Sequence, residues 1–73
     1  MTPEQCKAAR ALLRMEQEQL ANAAGVARST VIDFEAKARS PRQSSVRAIR
    51  SALEAAGVQF IAENGGGPGV RLR

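Results

Sequence analysis

Gln17-Glu18-Gln19-Leu20-Ala21-Asn22-Ala23-Ala24-Gly25-Val26-Ala27-Arg28-Ser29-Thr30-Val31-Ile32-Asp33-Phe34-Glu35 is the stretch whose reading decides the fold. Leu20, Ala21 and Ala24 share one helical face, and Val31 and Phe34 recur three apart on a second one. Between them stands Gly25, where a chain leaving a helix commonly needs positive φ, a conformation glycine takes without a Cβ clash. Val26 follows as an apolar plug. Two short helices crossing at a steep angle need a small side chain at closest approach, here Ala21. They also need a bend tolerant of positive φ and apolar residues that lock the second helix against the first. The spacing therefore predicts helices over about 17–24 and 28–36, with the polar side of the second left outside.

Upstream, Thr2, Pro3 and Gln5 form a helix start: a capping hydroxyl, proline at the first helical position and Gln three residues after the cap. Helix 1 then runs to about Arg14, with Cys6, Ala9 and Leu13 inward. Arg10 falls on nearly the same stripe and so needs a partner. Downstream, Lys37 to Gln43 reads as a polar, basic loop, since Ser40 before Pro41 is disfavoured in a helix. Helix 4 follows from about Ser44 to Ala56 with Val46, Ile49 and Leu53 inward, and Gly57 ends it. Val58 and Phe60, then Val70 and Leu72, alternate with polar residues on either side of Asn64-Gly65-Gly66-Gly67-Pro68-Gly69. That is a strand period around a turn. The segment is a small hairpin or a disordered glycine-rich tail. As a hairpin its apolar face must cover the helices or a second subunit, because two strands alone are marginal in water. The fold class is thus all-α, four helices with a short C-terminal β-hairpin or strand. Residues 1–57 form the helical domain, and 58–73 a β segment with Val58, Phe60, Val70 and Leu72 as candidate dimerisation residues.

A chain of 73 residues is one small domain. Its single cysteine, Cys6, excludes an internal disulfide. With no histidine there is neither a Cys/His metal site nor a His-based triad. No enzyme activity, metal or cofactor is expected. Cys6 itself reads as a small buried apolar residue. No apolar run approaches the roughly 18 to 20 residues of a membrane span, and the N-terminus lacks the pattern of a secretory signal. The expectation is a soluble cytoplasmic protein.

The formal net charge of +4 is local. Residues 1–27 and 51–73 each balance, so the excess lies in 28–50, where Arg28, Lys37, Arg39, Arg42, Arg47 and Arg50 face only Asp33 and Glu35. A concentrated basic segment points to a polyanion, nucleic acid first and an acidic membrane second; a merely solvated face is the bland alternative. Phe34 and Phe60 are the only aromatic residues and both read as structural. Base-stacking recognition of single strands or RNA is therefore not expected.

From about residue 4 to 57 the chain resembles the Cro/repressor-like helix-turn-helix family, the XRE-type transcriptional regulators. Gln17-Glu18-Gln19-Leu20-Ala21, then Ala24-Gly25-Val26, then Ser29, Thr30 and Val31, then Glu35 are similar to the family pattern. Pro41 and the Val46, Ile49, Leu53 series also fit. The resemblance implies that helices 2 and 3 form the helix-turn-helix, with helix 3 lying in the major groove of double-stranded DNA. Its base-reading residues would be Ala27, Arg28, Ser29, Ile32 and Asp33. Arg28 could bond guanine in bidentate fashion, Ile32 meet a thymine methyl, and Asp33 accept from cytosine or instead orient Arg28. Gln17, Thr30, Lys37, Arg39, Ser40, Arg42 and Ser44, with Ser45 beside it, would grip phosphate and set register. Arg47 and Arg50 lie on the outer side of helix 4, as a solvated face or a DNA contact. Arg10 and Glu35 stand where the family places an ion pair, so Arg10→Ala would destabilise by about 3 to 5 kcal/mol if the pair is buried.

Two positions depart from the family pattern. Glu16 and Ala27 stand where Ser or Thr usually caps helices 2 and 3, and alanine at a cap costs about 1 kcal/mol. The expected function is a sequence-specific transcriptional regulator, a homodimeric autorepressor reading a palindromic operator. The alternatives are an antitoxin-like or anti-activator-like module that docks a protein partner through residues 58–73, and non-specific coating of nucleic acid.

Overall fold

The computed structural model describes all 73 residues. Helix α1 spans Pro3–Leu13. Thr2 Oγ1 accepts the Gln5 N–H at 3.0 Å and Gln5 Oε1 accepts the Thr2 N–H at 2.8 Å, so two otherwise orphaned donors are satisfied reciprocally. The helix stops at Leu13 rather than Arg14. Arg14 turns left-handed (φ 54), and the Met15 N–H closes back on Arg10 O at 2.9 Å.

Helix α2, Gln17–Ala24, ends on Gly25 at φ 70, and the Val26 N–H returns to Ala21 O at 3.0 Å. This is the bend that the glycine's missing Cβ permits. Helix α3 spans Arg28–Ala36 and ends on a left-handed Lys37. Helix α4 spans Gln43–Ala55, one residue earlier at each end than the apolar spacing indicates. Arg42 is its cap, because Arg42 O already accepts from Ser45 and Val46, whereas Ala56 and Gly57 (φ 113) leave the helix to start the sheet.

Strands β1 (Val58–Ile61) and β2 (Gly69–Leu72) pair antiparallel, Val58 opposite Leu72 and Phe60 opposite Val70. The C-terminal segment is thus a hairpin and not a disordered tail. The core joins Cys6 and Ala9 of α1, Leu20 and Ala21 of α2, Val31 and Phe34 of α3, Ile49 and Leu53 of α4, and Val58 of β1. Each expected inward stripe supplies at least one of these residues. Phe60 and Val70 pack at its margin, but Leu72 remains 50% exposed. Of the four candidate dimerisation residues, Val58 is fully buried and Phe60 and Val70 are packed against the helices, so Leu72 alone is exposed.

Polar contacts fix the hairpin. The buried Gln5 side chain donates from Nε2 to Gly69 O at 3.0 Å and to Ile61 O at 3.4 Å, a register pair. At the other end the Arg73 N–H reaches Gly57 O at 2.9 Å, and Arg73 Nη2 reaches Glu54 O at 2.7 Å, satisfying a carbonyl in the last turn of α4. The Arg50 guanidinium lies over the Phe60 ring, 5.0 Å from its centroid.

Candidate nucleic-acid interface

The interface rests on a buried carboxylate. Glu35, at the end of α3 and 3% exposed, accepts from Arg10 Nη2 (2.6 Å to Oε1) and Arg10 Nε (2.7 Å to Oε2). It also accepts from Gln17 Nε2 (3.0 Å to Oε1) and Cys6 Sγ (3.1 Å to Oε2). Arg10 completes its own set by donating to Met15 O at 3.0 Å. Helices α1, α2 and α3 therefore converge on one charge. Burial opposes ionisation of Glu35, but the hydrogen bonds from Arg10, Cys6 and Gln17 outweigh it and hold the carboxyl below its ordinary range. The same bond to Glu35 raises the pKa of Arg10. Burial, then the neighbouring Glu35, drives the Cys6 thiol far above its usual range, so it stays protonated and serves as a donor.

On this frame α3 presents its first turn to solvent. Ala27, Arg28 and Ser29 are exposed, and Thr30, Ile32 and Asp33 are half-buried. No side chain caps α3 at Ala27, and the cap carbonyl is met by the Thr30 N–H. Ser29, Thr30 and Asp33 line one concavity of about 430 Å³ together with Arg39, Ser40, Arg42 and Ser45. Two of the five base-reading candidates, Ser29 and Asp33, thus share one surface with Thr30, Arg39, Ser40 and Arg42 of the candidate phosphate patch, whereas Ala27, Arg28 and Ile32 lie outside its lining. Apart from Pro41 its lining residues are polar or charged. Arg28, Arg39 and Arg42 make no ion pair, so their charge is uncommitted. No ion pair links Asp33 to Arg28.

Other candidates lie elsewhere. Lys37 turns away to an exposed ion pair with Glu4 at 2.5 Å, which lowers the Glu4 pKa, and it borders an adjoining depression that shares Arg39, Ser40 and Pro41 with the first and is also lined by Met1, Phe34 and Val46. Ser44 is exposed but outside the shared concavity, where Ser45 takes the place. Gln17 is half-buried and has given one amide hydrogen to Glu35. Glu16, the unusual cap of α2, has its N–H taken by Gln19 Oε1 at 2.8 Å. Arg50 is drawn to the hairpin side by Phe60 and by Glu54 at 3.3 Å, while Arg47 stays exposed.

Two polar roles escape the sequence reading. The Thr2–Gln5 cap accounts for the Gln5 oxygen, yet nothing in the local pattern reveals that its nitrogen clamps a hairpin 64 residues away. Cys6 sits on the apolar stripe as expected, but its thiol is part of the Glu35 network.

A family model described as helix-turn-helix matches residues 7–56, which covers α1 to α4. No curated protein matches the chain. No helix is long and apolar enough to cross a membrane. The matched span contains the α2–Gly25–α3 bend, the polar first turn of α3 and the uncommitted arginines that follow it: the chain belongs to the helix-turn-helix family of DNA-binding, Cro/XRE-type transcriptional regulators.

Proposed function

We propose that the protein is a dimeric, cytoplasmic repressor that reads a palindromic operator by placing α3 in the major groove. The observation that carries this is the shared polar concavity, in which Ser29, Thr30 and Asp33 of α3 adjoin Arg39, Arg42 and Ser45, with Arg28 unpaired at the helix start. Arg28, with Ala27, Ser29, Ile32 and Asp33, reads base edges, the guanidinium fitting guanine O6 and N7. Arg39, Ser40, Arg42, Ser44 and Thr30 hold phosphate on one flank, and Lys37 joins them by leaving Glu4. Gln17 and the free N–H groups at the start of α2 hold phosphate on the other. Residues 1–57 are the DNA-binding unit, and the hairpin 58–73 supplies the dimer contact, a role supported by exposed Leu72 at the end of β2. Dimer symmetry then requires half-sites about 10 base pairs apart.

The test is fluorescence anisotropy at about 150 mM salt with a duplex from upstream of the protein's own gene against a shuffled duplex of equal composition. Autorepression predicts binding at least about a thousandfold tighter to the native duplex. Equal, weak binding to both, together with capture of a protein through the hairpin, would favour the docking-module reading instead.

A further inference from the structure

The Asn64–Gly69 tip takes no part in the proposed DNA contact, and its chemistry is its own. We propose that Asn64 is a site of spontaneous deamidation, which gives this protein a second, more acidic covalent form. Asn64 and Gly65 are exposed in the bend between β1 and β2, outside both strands. The Gly65 N–H donates to no protein acceptor, and Asn64 makes no side-chain hydrogen bond; the tip is braced one step away, by Gly67 N–H on Glu63 Oε1 at 3.1 Å. Gly65 is at φ +100, and the space a Cβ would take has nothing within 4 Å. Gly65 is exposed, and without a Cβ the residue itself adds little hindrance at its own nitrogen.

Once hydroxide removes its proton, the Gly65 nitrogen attacks Asn64 Cγ. The N–Cγ bond forms, the Cγ–Nδ2 bond breaks, and the side-chain nitrogen leaves as ammonia after taking a proton from water. Water then opens the five-membered imide at either carbonyl, giving aspartate or isoaspartate. No oxidation or reduction occurs, and water is the only co-reactant. The product has a carboxylate beside Glu63 and a formal net charge reduced by one from +4. In the isoaspartate form the tip also gains a backbone methylene.

Asn22 is the internal control. It is the only other asparagine and is exposed too, but it lies within α2 followed by Ala23, so its backbone is held helical and a methyl group shields the attacking nitrogen. The full chain is incubated folded at mildly acidic and mildly alkaline pH, digested with trypsin, and the peptides Met15–Arg28 and Ser51–Arg71 are weighed. Ser51–Arg71 is expected to gain about 1 Da and to separate into two products, faster at alkaline pH. It should convert at least about tenfold faster than Met15–Arg28, because α2 must open before Ala23 can react. Asn64→Gln should abolish the gain. Equal conversion of the two peptides, a gain that survives Asn64→Gln, or a Ser51–Arg71 segment that stays intact in the protein while the free synthetic peptide converts would each overturn the assignment.

Discussion

Gln17 Nε2 donates to Glu35 Oε1 at 3.0 Å, so the first residue of α2 is held by the carboxylate near the end of α3. Because Glu35 is itself held by Arg10 and Cys6, the orientation of Gln17 depends on α1, a helix outside the bihelical unit. One amide hydrogen and the oxygen of Gln17 remain for other partners. Fold stability and the proposed phosphate contact therefore share one side chain.

Arg10→Ala should destabilise the protein by about 3 kcal/mol, the lower end of the range for breaking a buried pair, since Arg10 is 20% exposed while Glu35 is 3% exposed. Urea denaturation at neutral pH measures it. A loss under about 1 kcal/mol, as at exposed pairs, would contradict the role assigned to Glu35.

The depressed pKa of Glu35 sets the direction of the acid response. Its folded value lies below 4.5, so its contribution is fully present above the ordinary carboxylate range and is lost as pH falls through the folded value. Thermal scans should give a plateau from about pH 5 to 7 and a decline below about pH 4.5. Glu4 is shifted in the same direction, but it is exposed and adds little. In Arg10→Ala the deficit relative to the parent should shrink in acid, because a protonated Glu35 leaves no uncompensated charge. A constant deficit from neutral to acid pH would contradict this.

Gln5→Glu separates the two duties of Gln5. The variant keeps an oxygen for the Thr2 N–H but turns a second oxygen toward the carbonyls of Ile61 and Gly69. A loss of about 1 to 3 kcal/mol at neutral pH is expected. Amide exchange should accelerate in β1 and β2 more than in α2 and α3. Toward pH 4 part of the loss should return relative to the parent, as the protonated carboxyl becomes a donor. Uniform acceleration across all elements would mean that the clamp supports the whole domain and not the hairpin.

Arg28→Ala and Arg42→Ala should fail differently on operator DNA. Losing Arg28 should cost about 1 to 3 kcal/mol and relax preference at one base position. Losing Arg42 should weaken all duplexes alike and reduce the salt slope by about 1. Titrations of both variants on native and single-substituted duplexes at several salt concentrations distinguish base reading from phosphate gripping. Exchanged behaviours would reverse the two assignments.

Helix positions were legible because each rests on nearby residues: Gly25 marks a bend, Leu20 and Val31 mark faces, and Thr2 with Gln5 marks a start. Ends were legible to within a residue. Arg14 and Lys37 take the left-handed conformation without being glycine, which composition alone does not signal. The shared surface of α3 and the following loop was legible only through resemblance, since the distance from Ser29 to Ser45 depends on how α4 returns across α2. The Gln5 clamp, the Lys37–Glu4 pair and the exposure of Leu72 were not legible, because each joins segments far apart in the chain whose meeting has no local signature.

The Gln5 contact with Gly69 also orders events in time. A ribosome adds roughly 5 to 20 residues per second, so Gln5 waits about 3 to 13 seconds for the acceptor 64 residues behind it. By the time Gly69 is added the segments of all four helices have been made, while until then the first helix has a capped start but an unsatisfied amide. The nascent chain thus contains its bend and the first turn of α3 before it contains its lock. Any factor that captures the leading helix during synthesis competes with a strand that has not yet been made.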